Sequence, residues 1–147
     1  MNIVSVAAIL GMILGTAGFV MSLMNYLRDQ ARVRVILLWD MTDTHTLEKF
    51  GFVRVTNIGR RPVFISCVAL ELPKGFGHSG LMLMNTIGGK RLAEGEEPLN
   101  EPINYDSIAK YSSGWKRIRA YAIDSTGKKY YSDFPNDKAT APSWVVT

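Results

Sequence analysis

The hydrophobic pattern divides the chain into two solvents. Residues 3 to 27 contain no Asp, Glu, Lys or Arg, so all 30 charged residues lie outside this run. As a helix, 25 residues rise about 37 Å at 1.5 Å per residue, against a hydrocarbon core roughly 30 Å thick. A helix buried in a soluble core would keep one polar face, and this run has none. A cleaved leader would open with a basic residue and have a shorter apolar stretch. Here no basic residue comes first, and the nearest small-residue cluster, Gly15-Thr16-Ala17-Gly18, sits inside the run. Asn25 and Tyr26 suit the water interface. The segment is therefore expected to be one transmembrane helix.

Beyond residues 28–32, a juxtamembrane stretch, the period changes to two. Val33, Val35, Leu37 and Trp39 share one face of a strand, and residues 40–49 read as a polar loop. Residues 50–56 and 63–72 are the next strands. Asn57-Ile58-Gly59-Arg60-Arg61-Pro62 between them is a turn, and a hairpin is expected there. Residues 73–80 form a loop and 81–87 a short strand that Gly88-Gly89 breaks. Residues 91–103 are mostly an exposed connection holding one short strand. Asp106 is placed to cap a short helix and Gly114 to end it, with Ile108 and Tyr111 on one face. Ile118, Ala120 and Ala122 alternate with polar or larger residues in a strand over 116–123. The turn Asp124-Ser125-Thr126-Gly127 leads to its hairpin partner, 128–134. Trp39 and Trp115 are expected in or beside the core. Trp144 either closes the last strand or belongs to a docking tail.

Six or seven short strands with turns between them and one short helix define a mainly β fold, a β-sandwich. The expected organisation is residues 1–31 as helix and juxtamembrane segment, and 32–147 as the β-domain, enough chain for one domain.

The stretch Val53-Arg54-Val55-Thr56-Asn57-Ile58-Gly59-Arg60-Arg61-Pro62-Val63 is similar to the strand–turn–strand of small bacterial and phage proteins with immunoglobulin-like domains. Leu92-Ala93-Glu94-Gly95-Glu96 and Ile118 to Lys128 carry the same resemblance, over roughly residues 33 to 132. It implies an immunoglobulin-like sandwich behind one apolar helix; the expected location of that helix is the inner (cytoplasmic) membrane. It implies no catalytic residues.

Charge bears on orientation. No Lys or Arg precedes the apolar run, while Arg28, Arg32 and Arg34 follow it, opposed only by Asp29. The positive-inside rule then places the N-terminus outside and the β-domain in the cytoplasm. A single cysteine, Cys67, forms no intrachain disulfide, so no oxidising compartment is marked. The net charge of +4 and pI of about 9.3 draw attention to Arg60 and Arg61 on one turn, to Lys128 and Lys129 after another, and to Lys116, Arg117 and Arg119 on or near one strand. Together they form a candidate basic surface for lipid headgroups or nucleic acid, against the simpler reading of a solvated rim offset by Glu94, Glu96, Glu97 and Glu101. Nucleic acid is disfavoured, since no row of aromatics suited to base stacking accompanies the charges.

Ala7, Gly11 and Gly15 recur every four residues, and Gly18 and Ser22 continue that side, a groove that lets a second helix approach closely. Catalytic and metal signals are absent from the sequence. His45 and His78 are far apart, and Cys67 in an apolar strand reads as a packed thiol. The glycine-rich 75–80 lacks the helix and Lys of a phosphate cradle. No cofactor or metal is expected, and no enzymatic activity.

These readings converge on a non-enzymatic module held at the membrane. Its helix packs on itself or on a larger membrane protein, and its β-domain binds a protein partner, as a phage or prophage accessory would. The rivals are a periplasmic envelope domain with an uncleaved anchor and a basic lipid- or nucleic-acid-binding module. The orientation is testable: a reporter active only outside the cytoplasm, fused after Thr147, is expected to stay silent, and a strong signal would refute the cytoplasmic assignment.

Overall fold

The uninterrupted apolar run forms one continuous helix, α1 (Ile3–Arg28), capped at Asp29 by a backbone bond from its N–H to the carbonyl of Asn25. The computed structural model describes residues 2–44, 46–75, 77–136 and 138–145, with Met1, the Arg28 side chain, His45, Phe76, Asp137, Val146 and Thr147 outside the described residues. α1 is long and apolar enough to cross a membrane, and none of it is buried by the rest of the chain.

Seven strands follow among the described residues: β1 (Val33–Thr42), β2 (Lys49–Asn57), β3 (Val63–Glu71), β4 (Gly80–Leu92), β5 (Leu99–Ile103), β6 (Arg119–Asp124) and β7 (Lys129–Tyr131). They build two antiparallel sheets, ordered β1-β2-β5 and β4-β3-β6-β7. One core lies between them. Val35, Val53, Val55 and Leu99 fill it from the first sheet, and Ile65, Val68, Leu70, Ala120 and Ala122 from the second. The expected alternation in β6 holds: Ala120 and Ala122 are fully buried, and Arg119, Tyr121 and Ile123 are half-exposed.

Several local expectations need correction. The 57–62 turn does not close a hairpin. β2 pairs with β1 and β5, β3 with β4 and β6, so each is a central strand with both edges taken, and the turn carries the chain from one sheet to the other. Gly88 and Gly89 do not end a strand. Their positive φ values, 86° and 76°, let residues 86–89 bulge opposite Ser66, and β4 resumes with Lys90 paired to Ile65. β1 runs past Trp39 to Thr42 through a register shift in which Asp40 takes φ 53°. The helix cap is Asn104, not Asp106: the Asn104 side chain accepts from the Asp106 backbone N–H at 2.9 Å. α2 (Tyr105–Ile108) then continues as a 3-10 turn (Ala109–Arg117) straight through Gly114, because burying Tyr111 and Trp115 holds the backbone in place.

Trp144 is buried without belonging to a strand. Its ring lies 5.4 Å from that of Trp39 and 6.3 Å from that of Tyr105. The preceding Ser143 donates from its backbone N–H to Asp40 Oδ2 at 2.8 Å, and its hydroxyl donates to Asp40 Oδ1. The tail is thus fastened to the far end of β1. Trp144→Ala is expected to destabilise the domain by about 3–5 kcal/mol, the usual cost of truncating a buried Trp. Chemical denaturation followed by circular dichroism checks this, and a change under about 0.5 kcal/mol, the range of ordinary surface substitutions, would mean that the tail is not docked.

Candidate functional site

The strand registers define two ends of the β-domain. Val33 opposes Asn57, Val63 opposes Leu92, Val55 opposes Leu99, and Ile123 opposes Lys129. The starts of β1, β3, β5 and β7 and the ends of β2, β4 and β6 therefore meet at the end where α1 leaves.

The junction with α1 is closely packed. The Ile58 and Gly59 N–H groups both donate to the Arg32 carbonyl, at 2.7 and 3.2 Å. A Cβ on Gly59 would lie 2.2 Å from the Gln30 carbonyl oxygen and 2.5 Å from the Arg32 nitrogen, so only glycine fits. Asn57 fixes the turn from inside: its Nδ2 donates to the carbonyls of Arg61 and Leu92, and its Oδ1 accepts from Gly59 N–H. Arg61 then reaches back to Asp29 at the end of α1, at 3.1 Å. Between these elements lies an open cleft of about 300 Å3 lined by Leu27, Arg32, Ile58, Gly59, Arg60 and Glu94.

A second turn at this end is built on Asp124. Its Oδ1 accepts from the Thr126 and Lys128 N–H groups and the Thr126 hydroxyl, and its Oδ2 accepts from the Tyr130 hydroxyl at 2.9 Å. Burial alone would raise the Asp124 carboxyl, but these bonds outweigh it and hold the group below the usual carboxylate range. Tyr130 is pushed up to about 12 by burial and by its bond to Asp124. The turn presents Lys128 and Lys129 to solvent.

The basic residues singled out by sequence separate into two groups. Arg32, Arg34, Arg60, Arg61, Lys128 and Lys129 stand at the α1 end. Lys116, Arg117 and Arg119 stand at the opposite end, where Arg119 pairs with Glu71 and stacks on Tyr131 and Phe134. They are not one surface. Lys90 and Arg91, which sequence reading passed over, join the α1 end because the β4 bulge returns the chain to pairing with Ile65 and Phe64. The turn signals Asn57-x-Gly59 and Asp124-x-x-Gly127 were legible, but their role in presenting cations was not.

This sorting has a consequence for charge. The α1 end holds nine of the chain's 17 basic residues, the six just grouped there with Arg28, Lys90 and Arg91, and six of its 13 acidic ones, Asp29, Glu94, Glu96, Glu97, Asp124 and Glu101, which shares a cleft with Lys90 and Arg91. The excess at this end is three positive charges, most of the chain's net +4. Asp29 and Glu96 are engaged by Arg61 and Arg91. Arg32, Arg34, Arg60, Lys90, Lys128 and Lys129 have no ion pair among the described residues.

On α1, Ala7, Gly11, Gly15, Gly18 and Ser22 fall within an arc of about 80° at 3.6 residues per turn, all exposed. A Cβ on Gly11, Gly15 or Gly18 would meet nothing within 4 Å. Cys67 is half-buried on β3, and burial pushes its thiol up against a smaller opposing effect of Lys129. His78 is exposed, and the glycine-rich loop runs into β4 rather than a helix. Among the described residues no three His, Cys, Asp or Glu side chains converge as a metal site would need. No protein-family model and no curated protein sequence matches the chain.

The Asp124 turn makes a pH-dependent contribution to stability. A carboxyl depressed in the folded state stabilises fully above its unfolded value of about 3.9, and that contribution fades as pH falls through the lower folded value. Asp124→Asn is expected to cost about 1–3 kcal/mol at pH 7, and the gap from the unaltered protein should narrow at pH 3. Denaturant titrations at the two pH values check this, and a gap independent of pH would assign the loss to shape rather than charge.

Proposed function

We propose that the protein is a non-enzymatic interaction module anchored in the inner membrane by α1, with its β-domain binding a protein partner on the cytoplasmic side. The observation that carries the reading is α1 itself: 25 residues without a charge, no part of them covered by the domain they precede. Water is a poor solvent for such a helix and a bilayer a good one. The Arg28, Arg32 and Arg34 cluster supports the cytoplasmic side.

The β-domain is read as an immunoglobulin-like sandwich, and its strand order supports this. Lettered A, B, C, C′, E, F, G along the chain, the strands form sheets A-B-E and C′-C-F-G. That order is the one expected of an immunoglobulin arrangement with the fourth strand beside C, and so favours the reading. Such domains are binding scaffolds as a rule of architecture rather than of chemistry, so fold alone selects no ligand. The reading assigns no catalytic step; Asp124 and Tyr130, two of the groups with displaced titration, bond each other inside a turn. α1 is proposed to pack through its small-residue face against a second copy or a larger membrane protein, since close backbone approach drives helix association in lipid.

The test replaces Gly11 and Gly15 by Ile in the full-length protein, which fills the groove while keeping the segment apolar. Crosslinked oligomer or co-purified membrane partner should fall several-fold, with carbonate-resistant membrane recovery constant. Ile13→Leu, on the other side of the helix, should change neither. Equal association in both variants would remove the packing role, and loss of the unaltered protein from the membrane fraction would remove the anchor.

A further inference from the structure

We propose that the α1 end of the β-domain is a binding surface for anionic phospholipid headgroups, so that the domain stands on the bilayer with its opposite end presented outward. The inference rests on the membrane reading of α1 and goes beyond it: a tether alone requires no contact between domain and lipid.

Three independent features of the structure support it. The first is charge. An excess of three positive charges, most of the chain's net +4, is gathered at one end of the molecule, and that end is the one from which the apolar helix emerges. An anionic leaflet attracts such a surface. The second is position. The Gly59 backbone packs against Gln30 and Arg32, and Arg61 is paired with Asp29. The turn that carries Arg60 is therefore held within a few residues of the end of α1 and cannot swing away. With the 25-residue run somewhat longer than the hydrocarbon core, its last turn and this turn lie at headgroup depth. The third is the chemistry of the cleft. Arg32 and Arg60 offer guanidinium groups suited to a phosphodiester, and Leu27 and Ile58, the latter half-exposed, supply an apolar edge on the same cleft. Phosphate beside acyl chain is the chemistry of a phospholipid. A free polyanion such as RNA has no use for the apolar edge and would meet the bilayer at this face.

The cations are also pre-positioned. Asn57 secures the turn bearing Arg60, and Asp124 secures the turn bearing Lys128 and Lys129. The backbone that carries them is already ordered, so binding has only the side chains left to order. Glu94, in the same cleft, opposes an anion and sets a sign that can be checked.

The experiment uses the full-length protein in lipid nanodiscs of phosphatidylcholine, with phosphatidylglycerol raised from none to about two-fifths of the lipid. A Cys67→Ala background carries one environment-sensitive dye, either at Ser125→Cys in the Asp124 turn or at Ser113→Cys at the opposite end. Contact is read as quenching by headgroup nitroxide lipid. The Ser125 dye is expected to be quenched increasingly with phosphatidylglycerol, and the Ser113 dye not. About 0.5 M NaCl, where the screening length is about 4 Å, should reverse the effect. Arg32→Gln with Arg60→Gln should shift the half-point to more phosphatidylglycerol, about fivefold per residue in apparent affinity, the equivalent of about 1 kcal/mol for each basic residue near an anionic surface. Glu94→Gln should shift it the other way. Quenching at Ser125 that ignores phosphatidylglycerol, or equal quenching at both dyes, overturns the lipid surface while leaving the anchor intact. Quenching relieved by a short RNA at constant salt would reassign the surface to nucleic acid. Failure of the unlabelled protein to enter nanodiscs would overturn both the anchor and the surface that depends on it.

Discussion

The constraint on which the β-domain depends is that β2 and β3, adjacent in sequence, are the central strands of two different sheets. Val53 and Val55 from one and Ile65, Val68 and Leu70 from the other are fully buried in the core the two sheets share. Five residues must carry the chain between them without leaving backbone groups stranded, and the Asn57 amide does this by bonding the carbonyls of Arg61 and Leu92 and the N–H of Gly59. Because the same turn receives the Arg32 carbonyl, the crossing of the core and the seating of α1 are one feature. A substitution that loosened it would disturb the sheets and the helix junction together.

How far the sequence announced this varies with the range of the interactions. α1 was legible to within one residue, because an uncharged run of that length needs no partner to be recognised. β6 was legible from the alternation of Ala120 and Ala122, though its expected start was too early: Lys116 and Arg117 belong to the 3-10 turn that buries Trp115, and the strand begins at Arg119. The hairpin expected at 57–62 was wrong for a physical reason: Asn and Gly report that the chain turns, not which sheet it joins next. Gly88-Gly89 failed similarly, since the positive φ that ends one strand serves equally to bulge another past Ser66. Asn104 and Asp106 are both good capping residues, and only the geometry of α2 distinguishes them.

The candidate surface was less legible than the fold. Arg60, Arg61, Lys128 and Lys129 were noticed as local clusters, but so were Lys116, Arg117 and Arg119, which lie at the other end of β6. Arg119 and Lys129 are about 13 Å apart along the sheet at 3.3 Å per residue, a separation set by strand direction, which a linear reading does not contain. Lys90 and Arg91 join this end only because β4 continues past Gly88-Gly89, which a linear pattern reads as a stop. The segregation of charge is thus a property of the registers rather than of any motif. It emerges only when antiparallel pairing brings residues tens of positions apart to one edge of the domain.

The docking of Trp144 and Ser143 on Trp39 and Asp40 also has a mechanical side. α1 enters at the first residue of β1, and the 142–145 segment is fastened near its last. Tension between the helix and that segment runs along β1, nearly parallel to the strand. The covalent backbone of β1 carries that load, so the contacts of Ser143 with Asp40 and of Trp144 with Trp39, and not the ladder to β2, are the part that gives first. A pull from anything gripping the far end would be borne by a short, stiff strap, while the second sheet, with β4 and β7 at its edges, stays out of the line of force.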